Sequence, residues 1–244
     1  MEYENSLYGI NMEGIMFEAA KEDLLSKYNK QTMIDLLQHL MIKRQFNECY
    51  NMIVSLFKEG IAEDIYVDIF CKNLNDNFEW MEQEEVLAKI RATFKDKGYI
   101  FSHKQLLKLA NAFELAYAKS GLGKEIVIEV YQHISSNNDF DFFSQEAIRI
   151  KCAKVAYSAN KYNANEKIDQ LLSLKRVVKR AGIKGVTMIL NYYLGLCERY
   201  VPCDYEQFWM IKSKNRGFPL AEEFMNNITI HNEASKTARN AVGY

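Results

Sequence analysis

The sequence predicts an all-α fold, a right-handed α–α superhelix of about five to six helical hairpins, and three observations carry that prediction. Apolar residues recur at three- and four-residue spacing along almost the whole chain, the periodicity of amphipathic helices. The 244 residues include only two prolines, Pro202 and Pro219, and eleven glycines; a sandwich or barrel needs turn residues roughly every 8–12 positions. Four basic helix ends, each closed by Gly and a large apolar residue, recur at related spacings. Hydrophobic residues make up 48% of the chain, enough for a large core, which argues against disorder in its body.

The elements follow in order. Helices are predicted over 12–28, 30–43, 46–59, 62–75, 78–97, 102–119, 123–136, 141–159, 164–181, 185–200, 204–215 and 219–233. Met33, Leu37, Leu40 and Met41 line one face of the second. Cys49, Met52, Ile53, Leu56 and Phe57 do so for the third. Val86, Leu87, Ile90 and Phe94 mark the helix over 78–97; Leu106, Leu109, Ala110, Phe113 and Tyr117 mark the next. The β-branched run "EIVIEV" from Glu125 to Val130 has no partner strand and is read as helix. Ile168, Leu171, Leu172, Lys175 and Val178 line the helix over 164–181, with Lys175 at the edge of the apolar stripe. Most connections are short, as between packed helices. One domain is expected over 1–233, followed by a poorly ordered tail over 234–244.

The four joints are "FKEGI" at Phe57–Ile61, "KDKGYI" at Lys95–Ile100, "KRAGI" at Lys179–Ile183 and "KNRGFP" at Lys214–Pro219. Glycine there takes the left-handed cap conformation, and Lys and Arg complement the negative end of the helix dipole. Gly60, Gly98, Gly182 and Gly217 are 38, 84 and 35 residues apart. A two-helix unit of roughly 35–42 residues fits, since 84 is about twice 42, and such periods mark helical-hairpin repeats.

"QFNECYNMIVSLFKEGIAEDIYVDIFCKN" at Gln45–Asn73 and "VVKRAGIKGVTMILNYYLGLCERY" at Val177–Tyr200 resemble the pentatricopeptide family and, more loosely, tetratricopeptide repeats. The resemblance covers near a fifth of the chain. It implies a solenoid of α-hairpins that binds single-stranded RNA or protein. Glu63 and Gly185 stand where the family carries proline. Pentatricopeptide repeats read bases with polar residues at fixed positions. Leu190 or Asn191 falls at one of those positions here, and Asp68 or a residue near it at the other, and they make no code. The resemblance therefore implies the solenoid more than it implies sequence-specific reading.

Catalytic patterns are sparse. His39, His103, His133 and His231 lie far apart with no ligand one helical turn away, so no two-histidine metal site is expected. His39, beside an apolar stripe, is expected to be partly buried. The five cysteines Cys49, Cys71, Cys152, Cys197 and Cys203 are odd in number and form no Cys-x-x-Cys pair. That usage predicts a reducing, intracellular compartment, cytoplasmic or nuclear. "AKSGLGKE" at Ala118–Glu125 lacks the outer residues of a phosphate loop and follows a helix; a helix–helix turn is predicted. The acidic run Asp76–Glu85 reads as a helix start. No signal peptide is expected, and no apolar run approaches the ~18 residues of a membrane span. The sequence thus predicts no enzyme, cofactor or metal, and no membrane partner.

Charge is uneven. Residues 1–100 carry 11 Lys/Arg against 18 Asp/Glu, and residues 145–216 carry 14 against 6. Lys175/Lys179 and Arg176/Arg180 are like-charged pairs one turn apart, each destabilising by about 0.2–0.5 kcal/mol. The basic region runs through Arg149, Lys151, Lys154, Lys161 and Lys167 as well. Tyr157, Tyr162, Tyr192, Tyr193, Tyr200, Tyr205 and Trp209 are interleaved. Phosphate neutralisation and base stacking would use this combination. The candidate binding residues are Lys175, Arg176, Lys179, Arg180, Lys184, Arg199, Lys212, Lys214 and Arg216. Three uses stay open: single-stranded RNA in an RNA-regulatory assembly, an acidic protein partner bound by a scaffold, or a solvated face. An intramolecular pairing with the acidic N-terminal third is a further use. The sequence leaves the oligomeric state open.

Overall fold

The computed structural model describes residues 29–135, 144–201 and 207–228. Eleven α-helices and two short 3-10 turns run through them, with no strand among the described residues. The helices are α1 (Lys30–Ile42), α2 (Phe46–Lys58), α3 (Asp64–Asn77), α4 (Gln83–Lys97), α5 (His103–Ser120), α6 (Lys124–Ser135), α7 (Gln145–Tyr157), α8 (Ala164–Arg180), α9 (Thr187–Glu198), α10 (Phe208–Lys214) and α11 (219–228). The helix expected over 12–28 and the tail over 234–244 lie outside the described residues. "EIVIEV" is helical within α6, and "GLG" is the turn between α5 and α6.

Local chemistry sets the ends. Asn29 caps α1 by accepting the Thr32 backbone N–H at 3.1 Å. Ser102 and Gln105 form a reciprocal capping box on α5. At the joint after α2, the Gly60 N–H reaches the Phe57 carbonyl and the Ile61 N–H reaches the Leu56 carbonyl, with Gly60 at φ 83°. The same pair of bonds closes α8 at Gly182 and α10 at Gly217, both left-handed.

Two joints depart from expectation. Gly98 has φ −54°, in the right-handed region. Its lack of a side chain serves packing instead: a Cβ there would collide with the His133 ring. Arg44, at φ 57°, closes α1 with the same two bonds and no glycine at all. The helix expected over 78–97 is also divided. A 3-10 turn at Phe78–Trp80 precedes α4, and Met81 between them is extended and buried in the core.

Contacts follow chain order. α1 packs on α2 and α3, α2 on α3 and α4, α3 on α5, α4 on α6, α5 on α6, α6 on α7, α7 on α8 and α9, and α8 and α10 on α9. Hydrogen bonds repeat at a similar offset. Tyr50 Oη donates to the Val86 carbonyl 36 residues on at 2.6 Å. Lys89 reaches Asn51 (38 residues), His133 meets the Phe94 carbonyl (39), Gln145 reaches the Lys184 carbonyl (39) and Gln105 reaches the Ala62 carbonyl (43).

The buried residues form one cluster from Met33 to Phe224. An aromatic chain threads its first half. Tyr50 meets Phe70 at 5.0 Å between centroids, Phe70 meets Phe113 at 6.0 Å and Phe94 stacks on Phe101 at 4.9 Å. Its second half continues from Tyr117 to Tyr157 at 5.5 Å, to Tyr193 at 6.3 Å and to Tyr192 at 5.1 Å. Such contacts add about 0.5–1.5 kcal/mol each beyond burial. No helix among the described residues is long and apolar enough to cross a membrane.

Candidate functional site

The basic C-terminal surface is built on α9. This helix is buried from Ile189 to Glu198, because "ILNYYLGLC" is apolar on nearly every side. α10 lies close against it at Gly195, where a Cβ would come within 2.8 Å of the Met210 backbone nitrogen. Two bonds fix α10 further. Glu198 Oε2 accepts the Trp209 backbone N–H at 3.0 Å, and Ser213 Oγ donates to the Met188 carbonyl at 2.7 Å. Burial raises the Glu198 carboxyl above its usual range, and the Trp209 N–H works against that rise.

α8 lies on the other side of α9 and buries Leu171 and Val178. Lys175, at the edge of that stripe, turns toward α9 and α10. Its Nζ donates to Asn191 Oδ1 at 2.7 Å and sits 4.1 Å from the Trp209 ring centroid. Lys212 Nζ lies 4.0 Å from the Phe208 centroid and 5.3 Å from that of Trp209. Burial lowers the Lys175 ammonium below its usual value, and Lys212 and Arg216 push the same way. Two cations from two helices, Lys175 and Lys212, thus meet at Trp209, Lys212 also covers the exposed ring of Phe208, and Arg216 in the turn after α10 lies within charge range of Lys175. Arg176, Lys179 and Arg180 continue the surface along the exposed face of α8. Lys184 and Lys214 are exposed beside it. Among the described residues, no carboxylate lies within ion-pair distance of Lys175, Arg176, Lys179, Arg180, Lys184, Lys212, Lys214 or Arg216.

Several candidates belong elsewhere. Arg199 donates to the Tyr117 hydroxyl and stacks over the rings of Tyr117, Tyr200 and Phe224, so it braces α5 against α11. Tyr157, Tyr192 and Tyr193 are fully buried in the aromatic chain and cannot stack on a base. In this region Phe208 and the 86%-exposed Tyr162 remain at the surface, and Trp209 and Tyr200 are half-buried. Tyr205 lies outside the described residues. Arg149, counted in the basic run, pairs inward with Glu114, whose other oxygen accepts the Tyr193 hydroxyl at 2.6 Å. Burial lowers the Arg149 guanidinium, and Glu114 together with Tyr193 and Tyr131 more than offsets that effect. Tyr131 and Tyr193 lie within the field of this pair. Sequence reading missed the cluster because Glu114 and Arg149 are 35 residues apart.

Burial pushes the thiols of Cys49, Cys71 and Cys197 up to about 12 and that of Cys152 further, so they stay protonated and poorly nucleophilic at neutral pH. Cys203 and His231 lie outside the described residues. His39 is exposed, not partly buried, because it lies opposite Met33, Leu37 and Leu40 on α1. His103 lies 3.3 Å from Glu146. Lys124 of "GLGK" donates to the Ala159 carbonyl and the Tyr200 hydroxyl. No set of three His, Cys, Asp or Glu side chains that would hold a metal occurs among the described residues.

Comparison with protein-family models, curated proteins and solved structures gives no match. The pentatricopeptide likeness therefore rests on the residues quoted for it.

Proposed function

We propose that the protein is a non-catalytic helical-repeat module, a right-handed superhelix of hairpins, that binds the phosphates of single-stranded RNA within an RNA-associated assembly. The repeat is supported by packing between next-but-one helices and by hydrogen bonds recurring 35 to 44 residues apart. The RNA reading is carried by one observation. Lys175 and Lys212 sit over Trp209, Lys212 also over Phe208, and Arg216 adds its charge beside Lys175, all without a carboxylate partner among the described residues, and Arg176, Lys179 and Arg180 extend that surface. Charge density of this kind is tolerated where an anionic polymer neutralises it, and the Phe208 ring offers a stacking platform.

A tetratricopeptide-like adaptor that docks an acidic protein on the same surface is the second reading. Burial of Tyr157, Tyr192 and Tyr193 favours it, since it removes three stacking groups. Titration of a mixed-sequence single-stranded RNA separates the two. A surface engaging about four phosphates loses roughly 50-fold in affinity between 50 and 200 mM salt. Changing Lys212 and Arg216 to Glu should abolish binding with the helical signal unchanged. Absence of binding at 50 mM salt refutes the RNA reading and leaves the adaptor.

A further inference from the structure

The molecule carries a second charged aromatic face, opposite in sign to the first. It is built on the turn between α3 and α4. Phe78 and Met81 are buried and anchor this turn, and the Glu82 backbone N–H ties it to α2 through Asn47 Oδ1 at 3.2 Å. Trp80, between the two anchors, is 70% exposed. Asp76, Glu79, Glu82 and Glu85 flank it and are exposed. A cleft of about 450 Å³ opens beside the turn, bounded by the C-terminal ends of α3 and α5 and by Glu223 of α11. Helix C-termini add negative potential there. The one cation among its lining residues, Lys119, is held on the Asn75 carbonyl at 2.9 Å. The Glu82 carboxyl is raised above its usual range by hydrogen bonding and charge from Glu85.

We propose that the two faces bind each other between molecules: the acidic Trp80 face of one copy docks on the basic α8–α10 face of a second copy. Charge complementarity selects this occupant. Residues 1–100 carry an excess of seven acidic groups and residues 145–216 an excess of eight basic ones. Among the described residues the carboxylates of residues 1–100 pair only with cations of α1, α4 and α5, Glu63 with Lys30, Glu85 with Lys89 and Asp68 with Lys108. Among the described residues none reaches α8 or α10, so one molecule does not neutralise its own opposed faces, whereas the acidic face of one copy on the basic face of another neutralises both surfaces in contact. The net charge of −1 leaves little overall repulsion to oppose association. Exposed tryptophan is the residue type that anchors interfaces, and its ring face accepts Arg and Lys. This inference stands apart from the RNA reading, although both use the basic face.

The test is a charge-swap pair measured by sedimentation equilibrium. The wild-type protein should exceed its monomer mass of 28.5 kDa at 50 mM salt and return to it at 500 mM. One variant carries Glu79→Lys and Glu82→Lys; the other carries Arg176→Glu and Arg180→Glu. All four positions are exposed, and circular dichroism checks that each variant is folded. Each variant alone should stay monomeric, and an equimolar mixture should form a heterodimer, because each retains one native face. Trp80→Ala should reduce wild-type association. A wild-type protein that is monomeric at 50 mM salt overturns the proposal, as does an equimolar mixture that stays monomeric. The acidic-face variant should bind RNA as the wild type does. RNA binding absent from every form, with the swap obeyed, would sink the RNA reading alone.

Discussion

Glu114→Gln is the sharpest probe of how this core is held. Glu114 is fully buried. One carboxylate oxygen pairs with the Arg149 guanidinium and the other accepts the Tyr193 hydroxyl. The amide can still accept from Tyr193, so the substitution removes charge rather than shape. Arg149 then keeps a cation whose side chain is only 25% exposed and whose Nε already has no hydrogen-bond partner. Removing one partner of a buried pair costs about 3–5 kcal/mol, and the partial exposure of Arg149 sets the low end, about 3 kcal/mol. For a chain of this size that loss lowers Tm by about 6–12 °C. Urea and thermal unfolding followed by circular dichroism measure both quantities. Adding Arg149→Met removes the stranded charge, so the double variant should recover at least half of the loss. A Glu114→Gln variant within about 1 kcal/mol of the wild type, or additivity of the two substitutions, would show that no buried charge is stranded.

Three further outcomes follow from single contacts. Gly195→Ala places a Cβ 2.8 Å from the Met210 backbone nitrogen, which cannot rotate away. It should cost about 1–3 kcal/mol in urea unfolding and change the Trp209 fluorescence, and an unchanged spectrum would contradict the close α9–α10 approach. Arg44→Gly should stabilise by about 0.5–1 kcal/mol, since release of a left-handed Arg outweighs the added freedom of glycine in the unfolded chain; destabilisation would count against the turn. Glu198 has a folded-state pKa above its ordinary value. The folded protein therefore binds more protons in that window, and the stability this contributes is present at low pH and lost as pH rises. Glu198→Gln should flatten the fall in stability as pH rises above the ordinary carboxylate range, and parallel profiles for variant and wild type would refute that.

Much of this was legible in the chain, and particular residues show where legibility stopped. Gly60 and Gly182 announced their turns because a left-handed residue favours glycine and their bonds span only a few positions. Arg44 makes the same turn invisibly, because nothing in its neighbours marks an Arg as left-handed. Gly98 looked like its counterparts, yet its reason is the His133 ring 35 positions later. Lys175 was readable as the edge of an apolar stripe. That it would face Trp209 and join Lys212 and Arg216 was not, because two separate helices meet there through α9.

The sequence by itself determined the all-α class, most of the helices and their breaks, and the opposed charges of the two ends. Those properties depend on residues within one or two helical turns, where 3.6-residue periodicity and capping act. Only the tertiary structure decided which charges remain at the surface. It drew Arg149 inward onto Glu114, spent Arg199 on Tyr117, buried the tyrosines of α7 and α9 and left Trp80 and Phe208 outside. The physical reason is that burial depends on what packs against a helix, and those partners lie 35 to 82 residues away along the chain.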